Sequence, residues 1–332
     1  MESREQRAQR VDVHRIEIAV DWPPGHVAAY LIAAAEPILV DAGMTGEESA
    51  EAFRDGFEET SVAIADVEHL VVTHPHVDHI GQVPAIRETA DPTIYAPVGA
   101  RDRLSRDSED LGAAVRANAG EAGLQGQFLD SAVEKSVESL ERNRELLSPE
   151  EVDHWIEDGE ILEIAGISLE AVHTPGHQAD HLCFRSEIGG ETLLFAGDIL
   201  LEPFRSVVIH TGLDDGVEDG VTAFYQSLDR LDGFDIGRVC PGHGPIHDQF
   251  AEMLERSRGS LDRMLDRACE RAAESPVTAL QLAEERAGDR QFHYVLPEVV
   301  GALHSLEREG RVDSRLEDGI RRFFVPGESQ SE

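Results

Sequence analysis

Apolar residues near the start of the chain fall in short runs rather than at a helical period. VDVHRIEIAV, HVAAYLIAAA and PILVDAG, within 11–43, read as strands separated by the turn signals DWPPG and AAEP. A helical stretch over 46–60 follows. EHLVVT (68–73) is then a short β-branched run of the kind a buried strand carries. Residues 78–90 read as helix and TIYAP (93–97) as strand. From 98 to about 157 the pattern changes to long, charged, helix-compatible sequence such as SAVEKSVESLERNRELLSPEEVDHW, with no strand signal. Strands resume with ILEIAG, ISLEAVHTPGH, HLCFRS and ETLLFAGD. A helix near 217–231 and the strand DIGRVCPGHG complete the unit.

Strands alternating with helices predict an α/β domain over 1–246, with a helical insert at about 98–157. A charged helix over 247–274 connects it to a tail, 275–326. There PVTALQLAEERAG and VLPEVVGALHSLEREG have helical periods, and GRVDS and IRRFFV around LEDG read as a hairpin. Two helices followed by a two-stranded wing predict a small winged-helix-like module.

Composition adds limits. With 41% hydrophobic residues in 332, a sizeable core is available. No apolar run approaches the roughly 18 residues of a membrane-spanning helix. The N-terminal MESREQRAQR lacks the apolar centre of a signal peptide, so a cytoplasmic protein with no membrane partner is expected. Cys183, Cys240 and Cys269 are scattered and odd in number, which predicts free thiols. Charge is extreme, at 66 acidic against 29 basic residues and a formal net charge of −37, and the single lysine is Lys135. Acidic residues run through the whole chain, which predicts a halophilic source in which salt screens the self-repulsion. The net charge therefore says little about partners. In 276–326 seven arginines stand against nine acidic residues, a net −2, so the tail is less acidic than the whole but not basic. Arg321 and Arg322 on the presumed wing are the candidates for phosphate contact. Packing on the main domain, or a contact in a homodimer, needs no charge pattern and is the preferred reading of the tail.

Candidate chemistry sits where strands end. THPHVDHIG (73–81) packs three histidines and an aspartate into six positions directly after an apolar run. PILVDAG (37–43), EAVHTPGH (170–177), LLFAGD (193–198) and RVCPGHG (238–244) each place a potential ligand in a small-residue turn just beyond a strand. Imidazoles and carboxylates without thiolate suit zinc or another borderline divalent ion. His14, His26, His69, His247, His293 and His304 show no partner pattern. His154 and His181 read as packed residues or supports of a ligand rather than as ligands, and His210 as a candidate for the pocket wall.

Taken in order, these motifs resemble those of the metallo-β-lactamase superfamily. The resemblance rests on Asp41, the H-x-H-x-D-H set of His74, His76, Asp78 and His79, then His177, Asp198 and His243. It implies an αβ/βα four-layer sandwich with the site at one edge. His74, His76 and His177 would hold a first metal, and Asp78, His79 and His243 a second, with Asp198 bridging both. Asp41 would support the ligand shell, and His173 is expected to do likewise. The implied cofactors are two divalent ions, most simply Zn2+, with iron or manganese as alternatives.

Such a pair would hold a hydroxide as nucleophile, with Asp78 as the catalytic carboxylate that orients it. Antibiotic-hydrolysing members usually lack an aspartate like Asp198, and flavodiiron members usually carry glutamate where His76 stands. The metal set is that of glyoxalase II enzymes, whose glutathione-binding C-terminal half is not recognisable here. The nearest resemblance is to members that follow PGHG with a helix and a winged-helix tail, among them glyoxalase-like hydrolases and lactamase-like endoribonucleases. The insert would lie over the site as a lid or wall. Arg101, Arg103 and Arg106 within it read as a solvated helix face rather than an anion clamp. The expected function is hydrolysis of a small-molecule ester, thioester or lactone. The alternatives are a metal-dependent ribonuclease or phosphodiesterase, and a nucleic-acid-binding regulator with a ligand-sensing metal domain.

Overall fold

The computed structural model describes residues 11–22, 24–214, 217–287, 292 and 295–326. The N-terminal ten residues, Pro23 of the DWPPG turn, and tail residues 288–291 and 293–294 lie outside it. Two sheets stack face to face. The first runs β1 (Asp12–Ala19), β2 (His26–Ala33), β3 (Ile38–Val40), β4 (His69–Val71), β5 (Thr93–Pro97) and β6 (His154–Ile156), in that spatial order. β1 to β3 pair antiparallel, whereas β3 to β6 pair parallel. The second is built from β7 (Ile161–Ile164), β8 (Ile167–His173), β9 (Leu182–Ile188), β10 (Glu191–Gly197) and β11 (Arg238–Pro241), in the spatial order β11-β10-β9-β8-β7. Only the β10–β11 pair is parallel.

The side-chain period of two explains why β2 is apolar at nearly every position. Ala28, Tyr30 and Ile32 face the second sheet, where they meet Phe184 and Phe195. Val27, Ala29 and Leu31 face a helical layer formed by α1 (Glu47–Glu58), α2 (Val77–Ile80) and α3 (Val83–Thr89), through Phe53, Phe57, Ile80, Val83 and Ile86. The outer face of the second sheet is covered by α7 (Gly220–Leu231), whose Val221, Phe224, Leu228 and Leu231 recur at helical spacing against Leu194, Ala196 and Val239. Helix, sheet, sheet, helix is the α/β four-layer order the resemblance implied.

The insert holds α4 (Val98–Leu104), α5 (Ser108–Ala122) and α6 (Gly126–Leu146). It is not helical to its end, because His154–Ile156 returns to the first sheet as β6, pairing with Tyr95–Pro97. Three residues are too few to carry a periodic signal, and tertiary pairing decides them. Similarly, the helix expected over 78–90 is two pieces, because Gly81 lies against the backbone of Gly43–Thr45 and the chain turns there.

Beyond α8 (Phe250–Glu274), the tail contains α9 (Ala279–Ala287), α10 (Leu296–Arg308) and the hairpin β12 (Asp313–Glu317) and β13 (Ile320–Phe324), which begins three residues later than the sequence suggests. Leu303, Leu306 and Phe323 share one continuous core with α7, α8 and the second sheet.

Candidate metal centre

Every candidate ligand lies where a strand stops at the same edge of the sandwich. β3 gives way to Asp41, in the left-handed region at φ 60°. Its carboxylate is buried and accepts from Thr73 N (2.8 Å), Thr73 Oγ1 (2.8 Å) and His79 Nδ1 (2.8 Å). β4 leads through Thr73, His74 and His76 into the first turn of α2, which presents Asp78 and His79. β8 leads to the loop bearing His177, β10 through Gly197 to Asp198, and β11 through Gly242 to His243. Gly197 has no substitute. Its φ is +48°, and a Cβ there would lie 2.5 Å from His181 Nε2.

The structure brings all seven predicted ligands together. His76 Nδ1 lies 3.0 Å from His74 Nε2 and 3.1 Å from His177 Nε2. Two nitrogens bound to one tetrahedral zinc at about 2.0–2.1 Å stand about 3.3 Å apart, so these three atoms are spaced as a ligand triangle. On the other side of the cluster, Asp78 Oδ2 is 3.3 Å from His243 Nε2. Asp198 lies between the two groups. Its Oδ1 is 3.3 Å from His79 Nε2, and its Oδ2 is 3.3 Å from His177 Nε2 and 3.6 Å from His243 Nε2.

The donor set fits divalent cations on three counts. First, four of the five histidines have the outward nitrogen engaged, which leaves the inward one as the ligand atom. His74 Nδ1 meets Thr73 Oγ1, His79 Nδ1 donates to Asp41, His177 Nδ1 to Val207 O (3.0 Å) and His243 Nδ1 to His26 O (2.8 Å). Second, His79 Nε2 and Asp198 Oδ1 are buried, make no hydrogen bond and face each other at 3.3 Å, as befits two atoms that would share a cation. Third, the electrostatics call for positive charge. Burial holds the imidazoles of His74, His76 and His177 in the neutral form that binds metal. Burial alone would raise the Asp78 carboxyl, but His243 and His79 offset it and hold it at about 2. Asp198 is likewise held below the usual carboxylate range, against its own burial, by His243, His79 and His177.

Three residues support the candidate ligands, and two of them, Gln178 and Asn143, escaped the sequence reading. His181, fully buried, accepts the Asp198 N–H (3.0 Å) at Nε2 and donates through Nδ1 to Thr174 Oγ1 (2.7 Å). Burial and His177 hold its pKa at about 3, so it is a neutral brace for Asp198. Its only signal in the sequence was its place four residues after His177. Gln178 links the insert to the site. Its side-chain amide lies between His76 Nε2 (2.7 Å) and the Arg103 guanidinium (Nε at 2.7 Å). Asn143 of α6, also buried, donates to Pro75 O (2.9 Å) between His74 and His76.

Of the three insert arginines, Arg103 thus reaches a neighbour of a ligand, Arg106 pairs with Asp214 (3.0 Å) and Arg101 is exposed. His173 stands off the ligands. Its ring donates to Ala179 O (2.8 Å) and so ties down the loop that carries His177.

The model of the metallo-beta-lactamase superfamily matches residues 22–243 of this chain. The "probable metallo-hydrolase YqjP" of Bacillus subtilis (strain 168) is 24% identical over 331 residues, 92% of this chain and 95% of that protein. An atrochrysone carboxyl ACP thioesterase of Cryptosporiopsis sp. (strain 8999) is 27% identical over 54% of this chain, which spans 58% of that relative's length. A metallo-beta-lactamase family protein of Thermus thermophilus has a solved structure similar to this one, with a TM-score of 0.76 at 23% identity, covering 95% of this chain and 98% of the other. A beta-lactamase domain protein of Burkholderia ambifaria gives 0.74 at 18%, covering 95% and 92%. Among the described residues no helix is long and apolar enough to cross a membrane. The chain belongs to the metallo-beta-lactamase superfamily, and it is a metal-dependent hydrolase.

Proposed function

We propose that the protein is a dinuclear hydrolase of a small carbonyl ester, with an acyl thioester as the preferred class. The observation that supports two ions is the position of Asp198, with one carboxylate oxygen toward His79 and the other toward His177 and His243. When bound, two divalent ions, in our reading Zn2+, supply Lewis acidity toward a carbonyl oxygen and lower the pKa of water toward ~7. The protein's own contribution is positioning. Asp78 is ionised at neutral pH, and its carboxylate would accept a hydrogen from the attacking water and set its direction of approach. Thr73, Asp41 and His181 keep the ligand rings and Asp198 from rotating.

Two further observations favour a carbonyl substrate over a phosphodiester. Exposed large apolar residues recur on the segments that carry or adjoin the ligands: Trp22 before His26, Val98 at the start of α4, Phe204 after Asp198 and Ile246 after His243. An acyl chain gains from such surface, whereas a polynucleotide needs cations. The wing arginines are engaged with carboxylates, Arg321 with Glu121 and Arg322 with Glu317. The thioesterase named among the relatives points the same way.

The test is a panel of thioesters, esters, lactones and a phosphodiester, run in high salt with metal content matched between wild type and Asp78→Ala. Carbonyl-ester turnover that falls about 10²–10⁴-fold in the variant is expected. Phosphodiester cleavage alone, equally dependent on Asp78, would overturn the substrate class and make the tail a nucleic-acid clamp.

A further inference from the structure

A single peptide unit, Val207–Val208, connects the tail to the metal ligands. Its carbonyl accepts from His177 Nδ1 (3.0 Å), and its N–H donates to Glu298 Oε2 (2.8 Å) on α10. A trans peptide is planar, with its C=O and N–H pointing in opposite directions. Whatever fixes the N–H therefore fixes the carbonyl that orients the His177 ring. The segment is held at a second point by Ser206 Oγ, which donates to Asp198 O (2.5 Å).

Glu298 is an unusual residue to find here. It is fully buried on a helix otherwise packed by Leu296, Val299 and Leu303. An isolated buried carboxylate is costly, and this one is kept ionised by two arginines from different elements. Arg205 Nη1 meets Oε2 at 2.8 Å, and Arg286 of α9 pairs with Oε1. Arg205 is itself clasped by Ser206 O (2.6 Å), by Ser260 of α8 (3.2 Å) and by the face of Phe224 of α7 (5.6 Å to the ring centroid). Core packing alone would be served by an apolar residue at 298. The charge is spent instead on one backbone N–H and on the arginine that holds the same loop.

We infer that Glu298 is a positioning residue for the metal centre, acting through the Val207–Val208 peptide on His177, so that the C-terminal module is part of the site's scaffold. This rests on His177 being a metal ligand, as read above.

The two oxygens of Glu298 do different things, which makes the role separable from stability. Glu298→Gln keeps an oxygen able to accept from Val208 N and Arg205 but loses the pairing with Arg286. Glu298→Asp keeps the charge but withdraws the carboxylate from Val208 N by one methylene. Leu303→Ala, in the same helix and core, serves as a control that lowers stability without touching the loop. The proteins are loaded with Co2+, and affinity by chelator competition, the cobalt absorption spectrum and the unfolding midpoint are read for each.

Glu298→Asp should lower affinity for the His74–His76–His177 group about 10–100-fold and alter the spectrum, as replacement of an outer hydrogen-bond partner of a metal-binding histidine does. Glu298→Gln and Leu303→Ala should be less stable yet keep the wild-type spectrum. If Glu298→Gln does not fold, the contrast between Glu298→Asp and Leu303→Ala decides. Wild-type affinity and spectrum in Glu298→Asp would overturn the role, as would affinity that merely tracks unfolding midpoint across the variants. A wild type that takes up no Co2+ would overturn the metal reading and this inference with it.

Discussion

Gly242, in the PGHG turn after β11, is a position where one added methyl group would press directly on the candidate ligands. A Cβ built there lies 2.7 Å from Asp198 Oδ1, 2.7 Å from His79 Cε1 and 3.1 Å from Gly197 O. Carbon contacts are comfortable only from about 3.5 Å, so each of the first two neighbours must retreat by about 0.8 Å. Gly242 cannot yield instead, because its N–H donates to Gly197 O (2.7 Å) and its carbonyl accepts from Ala28 N (2.7 Å), pinning it to both sheets. The displaced groups are two of the candidate metal ligands. Sites of this kind tolerate about 0.5 Å of error, and misplacement by about 1 Å costs about 10²-fold. Gly242→Ala is therefore expected to lower kcat/KM by about 10–100-fold and to bind metal more weakly. Its stability should fall only by the ~1–3 kcal/mol of a local overpacking. The assay pairs elemental metal analysis and chelator competition with hydrolysis of the best substrate of the panel. Gly56→Ala, whose Cβ would crowd Ile16 Cγ2 at 2.6 Å in the outer helical layer, is the control for overpacking away from the site. Wild-type metal content and turnover in Gly242→Ala would refute the reasoning.

Two further predictions concern stability. Burial pushes the Glu298 carboxyl up, but Arg205 and Arg286 more than offset this and hold it at about 2 in the folded protein, against 4.5 for the free side chain. A depressed carboxyl contributes stability above its unfolded pKa and loses it as pH falls. At 1.36 kcal/mol per unit the contribution is about 3 kcal/mol, fully present above pH ~5 and lost by pH ~2. Denaturant unfolding of wild type and Glu298→Gln from pH 7 to pH 2 should give a stability gap that narrows on acidification, and a gap independent of pH would contradict it. The second follows from the net charge of −37, which we read as adaptation to salt. The melting temperature should rise steeply as salt approaches 1 M, where the Debye length is about 3 Å. Full stability in dilute buffer would refute the halophilic reading.

The sequence by itself picked out the candidate ligands and determined the layers. Each ligand is a His or Asp in a small-residue turn just after an apolar strand, a local pattern legible without coordinates, and all seven meet in the structure. The strands of the sandwich were legible for the same reason, since β2 and β10 must be apolar on both faces. What only the tertiary structure decided lies in contacts between residues far apart in the chain. β6 is three residues long and exists because β5 offers an edge. His181 and Asn143 look like any packed polar residue until their partners, the Asp198 N–H and the Pro75 carbonyl, are seen. Glu298 reads as one acid among the 66 Asp and Glu of the chain. It is distinguished only by a fold that buries it 90 residues from the peptide it holds. Periodicity and local motifs report what a residue does to its own segment. A hydrogen bond across the core leaves no such trace, because its partner is set by packing and not by spacing.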